Sequence, residues 1–138
     1  MDERQAGELL ERARRAKENA YAPYSKFKVG AAVLAEGGRV FTGVNVENSA
    51  YGETLCAERV AIGKAVSEGA RELMALAVIG DERVRITPCG SCRQVINEFN
   101  PDCVVVTAVP GEPTLMQRTA ADLLPDPFLL PEEGSGTR

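Results

Sequence analysis

Three cysteines in two separate segments constrain the fold of this chain more than any other feature of its sequence. Cys56 stands two residues before Glu58, and Pro88, Cys89 and Cys92 form a Pro-Cys-x-x-Cys run further along the chain. Catalytic zinc sites use three protein ligands and keep the fourth tetrahedral position open for water. The pattern predicts that Cys56, Cys89 and Cys92 bind one Zn²⁺ per chain, so the two segments must meet in the fold. Glu58 is then placed to shuttle protons for the water at the open position.

The sequence contains no histidine. An imidazole therefore cannot serve as metal ligand, general base or proton shuttle anywhere in this protein. Acid–base chemistry at neutral pH then falls to a carboxylate or to another group whose pKa is shifted. This absence strengthens the assignment of Glu58 as the catalytic group.

Both cysteine segments are expected at the beginning of a helix. One helix is predicted over residues 55–69 with Thr54 as its N-cap, and another over residues 88–98 with Thr87 as N-cap and Pro88 at the first helical position. Residues two apart on a helix can converge only near its tip, which is where this prediction places the first cysteine and the glutamate. The positive ends of two helix dipoles would also favour thiolates.

Arg59 is the candidate for balancing the charge of this centre. Zinc with three thiolates carries a net negative charge and is a weak Lewis acid unless a neighbour withdraws some of that charge. Arg59 follows Glu58 directly and can donate hydrogen bonds to the sulfurs. The alternative is an ordinary surface cation on a helix.

Around this core the sequence resembles the small, zinc-dependent cytidine deaminases. The likeness runs from about Ala22 to Phe128, and its motifs are specific. Only the segment after Arg83, which is short, and the tail beyond Phe128 depart from it. The matching stretches are APYSKFKVGAAV, GVNVENSAYG, LCAER, PCGSCRQV and DLLPDPF.

The resemblance implies a role for each further position that matches. Asn45 and Glu47 would hold the ribose hydroxyls, Phe27 would line the base pocket, and Ala57 would contact the substrate. Family members of this length are homotetramers with active sites shared between chains. The remaining two substrate-binding positions, Tyr51 and Phe128, would be supplied across an interface.

The same residues also allow plainer interpretations. Asn45 and Glu47 alternate on an extended run, so they share a face and can either bind a vicinal diol or form a polar strand edge. Phe27 begins an apolar run, where core packing is the default and stacking on a base the functional alternative. Gly30 either permits close backbone approach or weakens its strand. Phe128 follows a Pro-Asp-Pro break and either caps the core or reaches a partner.

The expected fold is α/β: a three-layer α/β/α arrangement with a central mixed sheet, like that of the cytidine deaminases. A single domain is expected over residues 1–128, followed by a flexible tail over 129–138. Besides the two helices above, the predicted elements are a helix at 4–19, a strand at 27–35, a Gly37-Gly38 turn, strands at 39–43, 73–79 and 103–108, a substrate loop at 44–53, and a short helix near 117–124.

The composition of the chain limits the kinds of partner and substrate that it can bind. The net charge of −4 and the acidic residues interleaved with the arginines of the first helix argue against nucleic acid and favour a free nucleoside. The N-terminus has no signal-peptide core, and no apolar run is long enough for a membrane span. We therefore expect a cytoplasmic protein without a membrane partner.

The predicted function is hydrolytic deamination of cytidine and deoxycytidine to uridine and deoxyuridine, with release of ammonia, in pyrimidine salvage. One alternative is a deaminase of a cytosine-containing antibiotic nucleoside, although the Asn45–Glu47 pair favours a ribose. The other is a structural zinc module in which Cys103 supplies the fourth thiolate. Cys103 opens an apolar strand, where a small buried hydrophobe is expected.

Overall fold

The computed structural model describes residues 1–132. Residues 133–138 of the predicted tail lie outside this range, so the division into a domain and a tail stays a prediction. The described elements are α1 (Glu3–Lys17), β1 (Gly30–Ala35), β2 (Val40–Val44), α2 (Ala57–Ser67), β3 (Leu73–Ile79), α3 (Gly90–Phe99), β4 (Val104–Thr107), β5 (Met116–Thr119) and α4 (Ala120–Leu123).

A five-stranded mixed sheet with the order β2-β1-β3-β4-β5 forms the middle layer. β1 runs antiparallel to both β2 and β3, β3 and β4 are parallel, and β4 and β5 are antiparallel. A turn at Gly37 and Gly38, both with positive φ, closes the predicted hairpin between β1 and β2. The mixed sheet with helices on both faces confirms the predicted α/β class.

The two faces of β1 belong to different cores, as the alternation of side chains along a strand requires. Ala31 and Val33 pack in one buried cluster with α2 and α3, whereas Ala32 packs in the other with α1. The sequence places Ala6, Leu9, Leu10, Ala13 and Ala16 at a helical period, which predicts that they share one face of the first helix. In α1 the first four are buried toward the sheet, while Ala16 is half-buried.

Two glycines let the helices approach the sheet backbone closely. A Cβ on Gly30 would lie 2.1 Å from the carbonyl oxygen of Ala13 in α1. A Cβ on Gly43 would lie 2.5 Å from the carbonyl oxygen of Ala57 and 2.4 Å from the amide nitrogen of Ala61, both in α2. Gly30 therefore permits close approach, which decides between the two interpretations of this residue. Gly43 fixes the first turn of α2 against β2.

Besides the two helices that carry the cysteines, two predicted elements differ from the structure. β1 begins at Gly30 rather than at residue 27, because the side chain of Asn45 takes up the backbone groups of Phe27 and Val29. The predicted helix near 117–124 is wrong over its first half: residues 116–119 form the edge strand β5, paired with β4. Thr119 then caps a short helix, in a capping box with Asp122.

Within residues 1–132 the model has no helix that combines the length and the apolarity needed to cross a membrane.

Candidate metal centre and active site

Cys56 is the N-cap of α2, and the helix begins at Ala57. The prediction of Thr54 as N-cap is wrong because Leu55 is held in an extended conformation. Its amide donates to the Val46 carbonyl and its carbonyl accepts from the Val46 amide, both at 2.9 Å. Glu58 therefore lies in the first turn of the helix, closer to its tip than a start at Leu55 allows.

Cys89 occupies the equivalent position at the start of α3, which begins at Gly90. The predicted N-cap Thr87 and first helical residue Pro88 precede the helix instead, because Arg93 binds both. Its Nη2 donates to Thr87 Oγ1 at 3.0 Å and its Nε to the Pro88 carbonyl at 2.8 Å. Neither cysteine N-cap uses its side chain to cap the helix, so both sulfurs are available for other partners.

The sulfurs of Cys56, Cys89 and Cys92 lie within 4.8 Å of one another. With Zn–S bonds of about 2.3 Å, tetrahedral geometry separates two sulfurs by about 3.8 Å, so this cluster fits a zinc ion with little adjustment. Cys103 is fully buried in the hydrophobic core and is not part of the cluster. Among residues 1–132 there is thus no fourth thiol to close the site, which removes the basis for a structural four-cysteine module.

The pKa values of Cys56 and Cys92 are shifted in opposite directions. The pKa of Cys56 is lowered to about 5 because the Cys92 thiol donates a hydrogen bond to it and the Arg59 guanidinium lies beside it. The Nη2 of Arg59 is 3.7 Å from the Cys56 sulfur and 3.3 Å from the Thr54 carbonyl oxygen. The pKa of Cys92 is raised by its hydrogen bond to Cys56 and by burial. Arg59 is therefore a neighbour of the sulfurs, as predicted, and it favours the thiolate form of Cys56.

Glu58 is buried beside this cluster, with 5% of its surface exposed. Burial raises the pKa of its carboxyl, and the negative charge of Cys56 raises it further. A carboxyl with a raised pKa holds a proton more readily than an ordinary glutamate, which suits a group that must both accept and donate one. Among the described residues, this is the only carboxyl of the site that combines burial with such a shift.

The Asn45 side chain is buried and holds the segment before β1. Its Oδ1 accepts from the Val29 amide and its Nδ2 donates to the Phe27 carbonyl, both at 2.8 Å. One lone pair on Oδ1 and one N–H of Nδ2 remain for another partner. Asn45 therefore has a structural task in addition to the predicted one.

Glu47 lines a hollow of about 360 Å³ together with Tyr24, Ser25, Tyr51 and Thr54. Its Oε1 accepts from the amides of Tyr24 at 2.9 Å and Ser25 at 3.1 Å, and its Oε2 accepts from the Ser25 hydroxyl. These hydrogen bonds lower the pKa of Glu47, and the one from the Ser25 hydroxyl has the largest effect. Thr54, which lines the hollow, also accepts a hydrogen bond from Arg59 at its carbonyl, although neither Glu58 nor a cysteine is among the residues that line the hollow.

The ring of Phe27 is half-buried against Gly80. A Cβ on Gly80 would lie 2.8 Å from Phe27 Cε1 and 2.9 Å from Cζ, so only glycine leaves room for the ring in this position. Ala57 is fully buried at the start of α2. The structure connects Phe27 to Asn45 by a hydrogen bond but does not place its ring among the residues that line the hollow.

Tyr51 and Phe128 are both strongly exposed, at 79% and 72%. Tyr51 meets Tyr24 edge to face, with ring centroids 6.5 Å apart. Phe128 does not cap the core of its own chain, and its carbonyl accepts from Gln94 Nε2 of α3 at 2.9 Å. Of the two interpretations of Phe128, contact with a partner is the one that stays as a prediction.

Three residues with a clear part in the site are not singled out by the sequence. Ser25 bridges Glu47 and Phe27, Gly80 accommodates the Phe27 ring, and Arg93 joins the loop before Cys89 to the Leu123 carbonyl. Each acts through a contact distant in sequence, so no local pattern marks it. The sequence feature that could have identified Ser25 is its place, as a small polar residue, two positions before the aromatic Phe27.

Comparisons with known proteins identify the family. The family model described as the cytidine and deoxycytidylate deaminase zinc-binding region matches residues 3–108. A cytidine deaminase from Sporosarcina psychrophila is 49% identical over 120 residues, covering 87% of this chain and 88% of the relative. A blasticidin-S deaminase from Bacillus cereus is 33% identical over 109 residues, covering 73% of this chain and 76% of the relative.

A comparison with solved structures indicates the same family as the sequence comparisons. The crystal structure of cytidine deaminase from Burkholderia pseudomallei has a TM-score of 0.81 and 46% sequence identity, and the match covers 88% of this chain and 98% of that one. The chain belongs to the cytidine and deoxycytidylate deaminase family. The predicted resemblance, the zinc-dependent enzyme class and the cofactor are thereby confirmed, whereas the individual site residues stay predictions.

Proposed function

We propose that this protein hydrolyses cytidine and deoxycytidine to uridine and deoxyuridine with release of ammonia, in pyrimidine salvage. The observation that carries the proposal is a buried glutamate with a raised pKa, Glu58, beside a cluster of three sulfurs that can bind one metal ion. Relatives named cytidine deaminase at 45–49% identity support the choice of substrate.

Cys56, Cys89 and Cys92 would hold the zinc ion, which when bound activates a water molecule for attack on the base. Glu58 takes a proton from the water and delivers it to N3 of cytosine, which makes C4 electrophilic. After attack on C4 has given a tetrahedral carbon, Glu58 takes the proton of the new C4 hydroxyl and transfers it to the amino group. The C4–N bond then breaks, ammonia leaves, and the C4 carbonyl of the uridine forms. Arg59 withdraws charge from the Cys56 sulfur throughout.

The substrate would lie between the hollow and the sulfur cluster. The Glu47 carboxylate uses three of its roughly four lone-pair directions within the chain, so one is left to accept a hydrogen bond from a ribose hydroxyl. Asn45 offers one further N–H, Phe27 lines the base side, and Ala57 contacts the base at the helix start. An antibiotic nucleoside is the second candidate, because a blasticidin-S deaminase is among the relatives. The Asn45–Glu47 pair favours cytidine or deoxycytidine over an antibiotic nucleoside.

The deciding experiment compares the wild type with Glu58→Gln, following the absorbance change of cytidine and the zinc content of the same samples. The amide cannot shuttle a proton, so the variant is expected to bind zinc and cytidine but to retain less than about a tenth of wild-type turnover. Glu68→Gln, at the exposed end of the same helix, is the matched control. Turnover of Glu58→Gln close to the wild type would remove the glutamate from the mechanism, and turnover of blasticidin S alone would favour the second candidate.

The oligomeric state is part of the same proposal. We expect a homotetramer in which Tyr51 and Phe128 complete the active sites of neighbouring chains. Two aromatic side chains exposed by more than two thirds support it. Mixing Phe128→Ala with Glu58→Gln should restore activity, because a mixed site can take its glutamate from one chain and its aromatic from another. Absence of rescue after verified subunit exchange would contradict shared sites. The cytoplasmic location and the absence of a nucleic-acid partner stay predictions.

A further inference from the structure

The hydroxyl of Ser25 joins two residues that are assigned to different parts of the substrate. It donates to Glu47 Oε2 and accepts from the Phe27 amide at 3.0 Å. The Ser25 amide also donates to Glu47 Oε1 at 3.1 Å. One short side chain thus binds the carboxylate assigned to the ribose and the backbone of the aromatic assigned to the base.

The Phe27 peptide is held from both sides. Its amide binds Ser25 and its carbonyl binds Asn45 Nδ2 at 2.8 Å. The preceding residue, Lys26, has a φ of 61°, a left-handed conformation that a lysine rarely adopts. Such a turn persists only where its surroundings hold it, and here the Ser25 and Asn45 side chains do so.

The bonds of Ser25 also restrict the carboxylate. With both amides on Oε1 and the hydroxyl on Oε2, the carboxylate cannot rotate without losing one of them. The lone pair that stays free on Oε2 therefore has a fixed direction. Loss of the hydroxyl would leave Oε2 without a partner from this loop and the Phe27 amide without its acceptor.

We propose that Ser25 is a positioning residue, which fixes the Glu47 carboxylate and the Phe27 backbone in one hydrogen-bonded unit and so sets the fit of the nucleoside. The inference rests on the proposed function, since it concerns the same substrate. Ser25 itself does not take part in the chemistry. Its effect is expected on binding, and the turnover of bound substrate depends on Glu58 and the sulfurs, which it does not touch.

The first test measures KM and kcat for cytidine in Ser25→Ala, Ser25→Thr and the control Ser67→Ala. Ser67 is an exposed serine whose hydroxyl binds only locally, to the Lys64 carbonyl. Ser25→Ala should raise KM about tenfold, the effect of one hydrogen bond to a charged group, while kcat changes less than about twofold. Ser25→Thr keeps the hydroxyl and should recover most of the loss. A KM of Ser25→Ala equal to that of Ser67→Ala would overturn the inference.

The second test asks whether Ser25 acts through Glu47. In a double-mutant cycle with Glu47→Ala, the dissociation constant of uridine is measured by calorimetry, independently of turnover. Ser25→Ala should weaken binding about tenfold in the wild-type background and less than about threefold when Glu47 is already absent. Equal losses in both backgrounds would overturn the inference. Failure of the proposed function looks different: the wild type with zinc would then not deaminate cytidine at all, which overturns both.

Discussion

Arg59 turns back along the first turn of α2 so that its Nη2 lies 3.7 Å from the sulfur of Cys56. A guanidinium in this place favours the thiolate and draws charge away from it. This contact supports the prediction that the arginine acts on the metal centre, and the role can be tested separately from the ligands themselves.

Arg59→Gln should keep about one zinc per chain but lower kcat by about tenfold, because the three thiolates then donate more charge to the ion. Atomic absorption and cytidine turnover on the same preparation check both parts. Arg71→Gln is the control, since Arg71 is exposed near the end of α2 and its side chain binds the Val66 and Ala70 carbonyls, away from the sulfurs. A variant with wild-type kcat would show that the guanidinium is not needed for charge balance.

The cysteines divide into three that should be essential for zinc and one that should not. Cys89→Ala should lose both zinc and turnover, since two sulfurs do not make a stable site for a catalytic zinc. Cys103→Ser should keep both and lose only stability, because a hydroxyl replaces a fully buried sulfur in the core. Release of zinc from Cys103→Ser would contradict the three-ligand site.

Gly80→Ala should disturb substrate binding from a position outside the hollow. The new methyl group would lie 2.8 Å from Phe27 Cε1, so the ring must move. We expect KM for cytidine to rise at least severalfold. Gly63→Ala is the control, because a Cβ there has nothing within 4 Å. Because Gly63 is exposed inside α2, its replacement by alanine should raise the free energy of unfolding by about 0.5–1 kcal/mol. An unchanged KM in Gly80→Ala would show that the ring position does not matter for the substrate.

Cys103 gives the protein a specific sensitivity to alkali. Burial raises the pKa of its thiol to about 12 from the ordinary 9.0. The unfolded chain therefore loses this proton first, and the contribution to stability is complete below about pH 9 and falls as the pH rises toward 12. The loss is at most about 1.4 kcal/mol per pH unit in that window. Urea unfolding at about pH 8 and about pH 10.5, on either side of the ordinary thiol pKa, should show a smaller difference for Cys103→Ala than for the wild type. Equal differences in the two proteins would contradict this role.

The chemistry of the site could be predicted from the sequence because a metal ion imposes its own stoichiometry. Three cysteines with an adjacent glutamate restrict the possible ligands whatever the details of the fold, and the absence of histidine rules out imidazole as a ligand or a proton shuttle. The two faces of the first helix were equally predictable, since apolar residues at a helical period have to be buried together.

What could not be predicted depends on contacts between distant segments. Thr54 has the chemistry of an N-cap, but the pairing of Leu55 with Val46 delays the helix to Ala57. Thr87 and Pro88 form a convincing helix start, yet Arg93 holds them outside the helix. The edge strand β5 carries the polar residues Gln117 and Arg118, so its sequence lacks an apolar alternation to mark it.

The close approach of Gly43 to α2 has a consequence for engineering this enzyme. The glycine lies against the backbone of Ala57 and Ala61, so the segment that carries Cys56 and Glu58 cannot be moved without disrupting the sheet beneath it. A library designed to accept bulkier nucleosides should therefore leave both layers unchanged. Its productive diversity would lie instead in side chains that line the hollow but carry no proposed role in the reaction, such as that of Tyr24, because a change there leaves the backbone of α2 in place.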